Sequence, residues 1–125
     1  MKYKFNRKIS EERQESLESF LKTLGIDEFK YPSERPIKSR RIEFIDEALT
    51  HTSMKSRVNH ERLEFLGDAV LRLTASEYID RNFPNMKVGQ RSALRSVLVS
   101  DRWLAELGSK LGIRKVLLIG KNAER

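Results

Sequence analysis

Three carboxylates lie close together in the segment from His60 to Leu71, namely Glu61, Glu64 and Asp68. An α-helix turns by about 100° per residue, so with Glu61 at zero, Glu64 falls at about 300° and Asp68 at about 340°. Side chains four residues apart have Cβ atoms roughly 6 Å from each other, and two like charges at that spacing repel. A divalent cation relieves this repulsion, and carboxylate oxygens suit Mg²⁺ or Mn²⁺. The spacing is therefore compatible with a metal site.

An ordinary solvated surface is the alternative interpretation of the same three acids. Acidic residues at i, i+3 and i+7 are common on exposed helix faces, where arginines neutralise them. Arg72 comes four residues after Asp68, and Arg62 lies beside the acidic face. Spacing alone favours this surface interpretation over metal binding.

The rest of this segment is apolar. Leu63, Leu66, Val70 and Leu73 fall between about 120° and 200° on the same projection and predict a stripe that faces the core. Gly67 lies inside the predicted helix, where glycine costs about 1 kcal/mol relative to alanine. Such a glycine is tolerated where a neighbouring chain or a ligand approaches closely.

The elements around this segment predict an all-α domain. Ser10 and Gly25 predict the ends of a helix over 11–24, and Ser100 is the expected cap of a helix from Asp101 to Lys110. The other predicted helices cover 41–51, with an apolar stripe of Phe44, Ile45, Ala48 and Leu49, then Asn59 or His60 to Asn82, and 88–97. Residues 26–39, which contain Pro32 and Pro36, predict a connector, and 116–119 predict a buried strand or a loop.

Composition limits the functional class. The 125 residues include no cysteine, which excludes disulfides and thiolate metal sites and fits a reducing cytoplasm. No apolar run is long enough to span a membrane, and we expect no small-molecule cofactor. The net charge of +7 favours polyanionic partners, with basic clusters near the start, at 35–41 and at 110–125. Those clusters predict either a phosphate-binding face or a mixed, solvated surface.

The amino-acid sequence of this segment resembles the signature motif of a known family. Residues 61–71, ERLEFLGDAVL, closely resemble the signature of the ribonuclease III family, the bacterial-type endoribonucleases III. EALTHTS at 47–53 is similar to the element that precedes the signature in that family, and Phe83-Pro84 and Leu98-Val99-Ser100 are similar to the family's pattern downstream of the signature. The resemblance covers about residues 41–120, and His60 departs from the asparagine that is usual there.

This resemblance implies a helical endonuclease domain that works as a homodimer and cleaves double-stranded RNA in a divalent-metal-dependent reaction. The implied products carry 5′-phosphates and short 3′ overhangs, and the implied setting is ribosomal and messenger RNA processing in the cytoplasm. By the same resemblance Glu64 and Asp68 are metal ligands for Mg²⁺, with Mn²⁺ as an alternative. Asp68 and Glu61 are catalytic acids, and Phe65 inserts into the partner subunit. Apolar pattern alone predicts an ordinary core phenylalanine at position 65 equally well.

Two departures from the family pattern shape the remaining expectations. The family completes its metal site with a later Asp-x-x-Glu pair, whereas this sequence has only Glu124 after Ile119. Neither Asp101 nor Glu106 is a convincing substitute, and we expect no double-stranded-RNA-binding domain within these 125 residues. We therefore expect an N-terminal helix and connector at 1–40 and a partial catalytic domain at 41–125, truncated at its C-terminus, with weak or no nuclease activity by itself and poor stability.

Two other functions remain open. The first is a non-catalytic ribonuclease III-like module that binds RNA or dimerises. The second is a helical protein-interaction domain without a role in RNA.

Overall fold

The computed structural model of the chain describes residues 8–26 and 38–123. Its five α-helices are α1 (Glu11–Thr23), α2 (Lys38–Ala48), α3 (Glu61–Asn82), α4 (Val88–Leu98) and α5 (Asp101–Lys110). Two short 3₁₀ helices lie at Thr52–Met54 and Ile113–Lys115. Within the described ranges, extended pairing is limited to one isolated parallel bridge between Thr50 and Leu118. The predicted all-α class is confirmed, and no helix of the described part is both long and apolar enough to cross a membrane.

Local signals set several helix ends as predicted. The Ser10 side chain accepts a hydrogen bond from the Arg13 backbone N–H at 3.1 Å, and the Ser100 side chain accepts one from Trp103 at 3.3 Å. Each serine satisfies a backbone donor that has no partner inside its own helix. Gly25 comes just after α1 with a positive φ of 74°, a conformation that glycine adopts without strain. The predicted connector at 26–39 lies almost entirely outside the described residues.

Helix α2 begins and ends earlier than the predicted 41–51. The chain leaves the helix after Ala48 because backbone groups on either side of Thr50 pair with a distant segment. The Leu118 N–H donates to the Leu49 carbonyl at 2.8 Å, and the His51 N–H donates to the Leu118 carbonyl at 2.9 Å. The segment 116–119 is thus a loop with a single β-bridge, and of its two predicted structures, a buried strand or a loop, the loop is correct.

The predicted apolar stripe of α2 is only partly correct. Leu49 is buried and Ile45 is partly buried, as expected. Phe44 and Ala48 were predicted to be buried but are exposed. Ile42, which was not part of the predicted stripe, is buried instead. The buried face of α2 is therefore rotated from the predicted one.

Two compact units make up the chain. The first, here called the discontinuous unit, comprises the described residues of Met1–His60 and Ile113–Arg125, and the second, the helical unit, is Glu61–Gly112. The core of the discontinuous unit consists of Leu17, Ile42, Leu49 and Val116. An ion pair joins α1 to α2 beside this core, with Arg13 Nε 2.8 Å from an Asp46 carboxylate that is almost completely buried. Apolar burial and this ion pair together hold α1 on α2.

The helical unit packs α3 on α4 and α4 on α5. Ala75 and Ile79 are the buried residues of α3, and both lie in its C-terminal half. Arg91 of α4 fixes the turn between the two helices, because it pairs with Asp80 and donates hydrogen bonds to the carbonyls of Pro84 and Met86, both at 2.8 Å. The C-terminal half of α3 is therefore anchored within its own unit.

Candidate functional site

The N-terminal half of α3 carries the three predicted acids. Glu61, Glu64 and Asp68 are all within this helix and all exposed. Because the segment is a regular helix, the three carboxylates share the narrow face that their spacing predicts. Glu61 and Glu64 also lie in the first turn, where negative side chains are favoured by the partial positive charge of a helix N-terminus. The structure thus places all three acids on one exposed face of α3.

Asp68 is engaged with an arginine of its own helix. Arg72 Nε lies 3.1 Å from Asp68 Oδ2, and the two side chains are 58% and 60% exposed. Exposed pairs four residues apart contribute only about 0.3–0.5 kcal/mol, because water screens the charges. The surface interpretation of the acidic face is therefore correct for Asp68, which forms an ion pair with an arginine. This ion pair is weak, so a ligand that binds Asp68 more strongly can replace Arg72.

The donor set suits a hard cation but does not enclose one. Glu64 and Asp68 are exposed carboxylates, and Mg²⁺ is commonly bound by one or two carboxylates while it keeps several waters. Across residues 8–26 and 38–123, no three His, Cys, Asp or Glu side chains are grouped closely enough to hold a metal ion. Glu106 is engaged with Arg102 at 3.4 Å on α5. The fit is therefore to a partial, hydrated site.

The predicted core-facing stripe of α3 is wrong at three of its four positions, since only Leu63 is partly buried. Leu66 is 49% exposed, and Val70 and Leu73 are each 62% exposed. Phe65 is 81% exposed, so it is not the ordinary core phenylalanine that apolar pattern alone allowed. The periodicity correctly identified an apolar face, but burial within the chain begins only at Ala75. The N-terminal half of α3 thus presents an acidic face and an apolar face to its surroundings.

Leu66, Val70 and Leu73 form an exposed apolar stripe on α3, and the exposed Phe65 lies between this stripe and the acidic face. Single exposed hydrophobic residues are normal, whereas contiguous apolar patches mark interaction sites. Gly67 falls at about 240° on the helical projection, between the apolar stripe and the acidic face, and there is open space where a Cβ would be placed on it. A partner surface could therefore approach the α3 backbone closely at this glycine.

The segment that leads into α3 contains a polar arrangement that the residue-by-residue reasoning missed. His51 caps the 3₁₀ helix, since its Nδ1 accepts from the Ser53 N–H at 3.1 Å and lies 2.7 Å from Ser53 Oγ. The Gly120 N–H donates to the same Oγ at 2.9 Å, and the His51 ring stacks on His60 with centroids 5.3 Å apart. The similarity of EALTHTS to the family element was the one available signal. These contacts fix the loop immediately before Glu61.

Four exposed basic residues lie between the end of α5 and position 121. Lys110, Arg114, Lys115 and Lys121 are all exposed. Of the predicted N-terminal cluster, Lys8 is described and is exposed, and the rest lies outside the described residues. The side chains of the predicted cluster at 35–41 are also outside the described part. The charge of the chain is thus available to a polyanion at least in this C-terminal region.

Comparison with known proteins decides the family. A family model described as Ribonuclease-III-like matches residues 41–125, which is more than half of the chain. This chain belongs to the ribonuclease-III-like family. It is 48% identical over 115 residues to Ribonuclease 3 of Prochlorococcus marinus, an alignment that covers 92% of this chain and 46% of that protein. It is 43% identical over 111 residues to Ribonuclease 3 2 of a Nostoc species, covering 89% and 43%.

A solved structure of the nuclease domain of ribonuclease III from Campylobacter jejuni has the same fold. The TM-score is 0.68 at 35% sequence identity, and the match covers 86% of this chain and 68% of that one. In that structure, structural flexibility was described in the region that is involved in dimer formation of the nuclease domain. As a ribonuclease-III-like chain, the present sequence spans less than half the length of the curated relatives that it matches.

Proposed function

We propose that this chain provides part of the catalytic domain of an endoribonuclease that cleaves double-stranded RNA in a divalent-metal-dependent reaction. The observation that carries the proposal is the exposed acidic face of α3, with Glu64 and Asp68 one helical turn apart inside a ribonuclease-III-like sequence. Products with 5′-phosphates and short 3′ overhangs, and a role in ribosomal and messenger RNA processing in the cytoplasm, belong to the same proposal. The exposed lysines and arginines near residues 110–121 would contact phosphates without regard to sequence.

Glu64 and Asp68 would hold Mg²⁺, or Mn²⁺ in its place. When bound, such an ion supplies an activated water and neutralises negative charge at the reacting phosphate. Asp68 would act both as a metal ligand and as a catalytic acid, as the family resemblance implies. Glu61 lies two turns before Asp68 and, as an accessory acid, would orient water near the substrate. Double-stranded RNA would be recognised by shape and backbone, since its shallow groove offers side chains little sequence information.

The apolar face of α3 supports a homodimer. Phe65, Leu66, Val70 and Leu73 expose apolar surface that a second copy of the chain would cover. A two-fold interface places the same patch of each subunit against its counterpart, so a single helix face can serve both partners. The acidic faces of the two copies would then act on opposite strands of one duplex.

A non-catalytic module that binds RNA or dimerises is the second candidate. The observation that favours it is that no three metal-binding side chains are grouped among the described residues. For the same reason we expect the chain by itself to cleave weakly or not at all. Metal-dependent cleavage separates the two candidates.

The decisive experiment joins this chain to the part of the Prochlorococcus marinus relative that follows the aligned region, since the alignment covers only 46% of that protein. The chimera is incubated with a long RNA duplex and Mg²⁺, and the ends of the products are mapped. We expect efficient cleavage by the chimera and a loss of at least about a hundredfold in Asp68→Asn, as for other groups that stabilise charge in a transition state. Glu77→Gln is the matched control, because Glu77 is an exposed acid on the same helix outside the acidic face.

Cleavage that survives Asp68→Asn would contradict the proposed site. A chimera that folds by circular dichroism and binds the duplex, but does not cleave it with Mg²⁺ or Mn²⁺, would favour the non-catalytic module. Absence of salt-dependent duplex binding would refute both candidates.

A further inference from the structure

Arg72 shares the acidic face with the proposed metal ligands. On the helical projection it falls at about 20°, next to Asp68 at about 340° and Glu61 at zero. Its contact with Asp68 uses Nε alone, at 3.1 Å from Oδ2. The terminal guanidinium nitrogens of Arg72 make no hydrogen bond to any residue that the structure describes. Arg72 therefore holds Asp68 with one of its five N–H donors and keeps the others accessible.

The backbone of Arg72 is itself tied into the helical unit. Ser76 Oγ donates to the Arg72 carbonyl at 2.8 Å, and Arg95 of α4 donates to the same Oγ at 3.0 Å. This chain of hydrogen bonds links the turn that carries Arg72 to α4. The guanidinium consequently starts from a fixed point one turn after Asp68, where a carboxylate with a cation four residues later is a favourable pair.

We propose that Arg72 is the resident counterion of Asp68, which a divalent cation must displace in order to bind. The inference rests on the proposed function, since it takes Asp68 as a metal ligand. Without the ion, the guanidinium offsets part of the repulsion between Asp68 and Glu64. With the ion, the guanidinium leaves Asp68 and all its donors become available to a phosphate oxygen, for which its planar fork is well suited. Metal affinity at this site is therefore lower than the carboxylates alone would give.

The exposure of the pair sets the expected size of the effect. Because both side chains are more than half exposed, breaking their contact costs little, and removing Arg72 should tighten metal binding by about two- to fivefold. A general change in net charge would have a smaller effect, since exposed charges farther away than about 8 Å are largely screened at physiological salt. Arg102 provides the matched control, because it forms the same kind of i, i+4 pair with Glu106 on α5.

The test measures Mn²⁺ binding to the full 125-residue chain from the electron paramagnetic resonance signal of free Mn²⁺. Wild type, Arg72→Gln, Arg102→Gln and Asp68→Asn are compared at one ionic strength. We expect Arg72→Gln to bind about two- to fivefold more tightly than wild type. We expect Arg102→Gln to match wild type and Asp68→Asn to lose the site. As a second readout, the Arg72 Nε–H resonance should shift when diamagnetic Mg²⁺ is added, and the Arg102 resonance should not.

Each outcome has a defined meaning. Equal or weaker Mn²⁺ binding by Arg72→Gln, with binding still lost in Asp68→Asn, overturns the role of Arg72 and leaves the proposed metal site intact. Binding that is absent from every variant, or that is indifferent to Asp68→Asn, overturns the metal site and the Arg72 inference together. Binding that becomes measurable only in Arg72→Gln supports the inference directly.

Discussion

Replacing Phe65 with alanine tests whether the exposed face of α3 is an interface. Phe65 is 81% exposed, so of a side-chain surface of roughly 200 Å² about 160 Å² is in contact with water. At roughly 25 cal/mol per Å², covering it would contribute up to about 4 kcal/mol per subunit. Ordering costs reduce this figure, and aromatic residues at the centre of interfaces typically lose about 2 kcal/mol or more on truncation.

A symmetric dimer contains two copies of Phe65, so Phe65→Ala should cost at least about 4 kcal/mol of association free energy. This corresponds to a dissociation constant weakened by roughly a thousandfold. The free energy of unfolding of the monomer should change by less than about 0.5 kcal/mol, because surface substitutions outside special features rarely have larger effects. Phe65→Ala should therefore weaken dimer association without changing the stability of the monomer.

The assay is sedimentation velocity over a wide range of chain concentrations, with thermal unfolding measured at concentrations where the chain is monomeric. Val88→Ala is the control, because Val88 is 79% exposed but lies on α4. Unchanged self-association of Phe65→Ala would refute the interface. So would a wild-type chain that stays monomeric at every concentration. A lowered melting temperature of the monomer would show instead that Phe65 supports the fold.

Three further substitutions test local packing by thermal unfolding. Gly67→Ala should stabilise the monomer by about 0.5–1 kcal/mol, because alanine favours a helix interior and the space is open; destabilisation would show a crowded site. Gly120→Ala should destabilise by about 1–3 kcal/mol, because its Cβ would lie 2.5 Å from the Ser53 carbonyl oxygen, and an unchanged melting temperature would contradict this. Ser100→Ala should cost about 1 kcal/mol through loss of the cap on α5, and a neutral result would show that the cap contributes nothing.

Features that depend on a few neighbouring residues were predictable from the sequence. The caps at Ser10 and Ser100 were correct because a serine side chain bonds to a backbone N–H only three residues away. The acidic face of α3 was correct for the same reason, since helical geometry alone brings Glu61, Glu64 and Asp68 to one side. The contact between Asp68 and Arg72 was foreseen as an alternative and is present.

Features that depend on distant residues were not predictable. The end of α2 is set by pairing with Leu118, and nothing near Ala48 signals it. Periodicity placed Leu66 and Val70 on an apolar face, but it could not say whether this chain or another surface covers that face. Catalytic roles came from family resemblance, because spacing alone favoured an ordinary charged surface. The position of Gly120 against Ser53 likewise required the folded structure.

The bridge between Thr50 and Leu118 has a consequence for how the polypeptide is made. The two residues are 68 positions apart, and Val116 belongs to the same buried core as Leu17. At roughly 5–20 residues per second, a ribosome needs several seconds to travel from one bridge residue to the other. During that interval α1 and α2 emerge without the segment that completes their core, whereas the contacts between successive helices α3, α4 and α5 are local and form quickly. Newborn chains would therefore expose their first two helices to chaperones and proteases until the segment that contains Leu118 has left the ribosome.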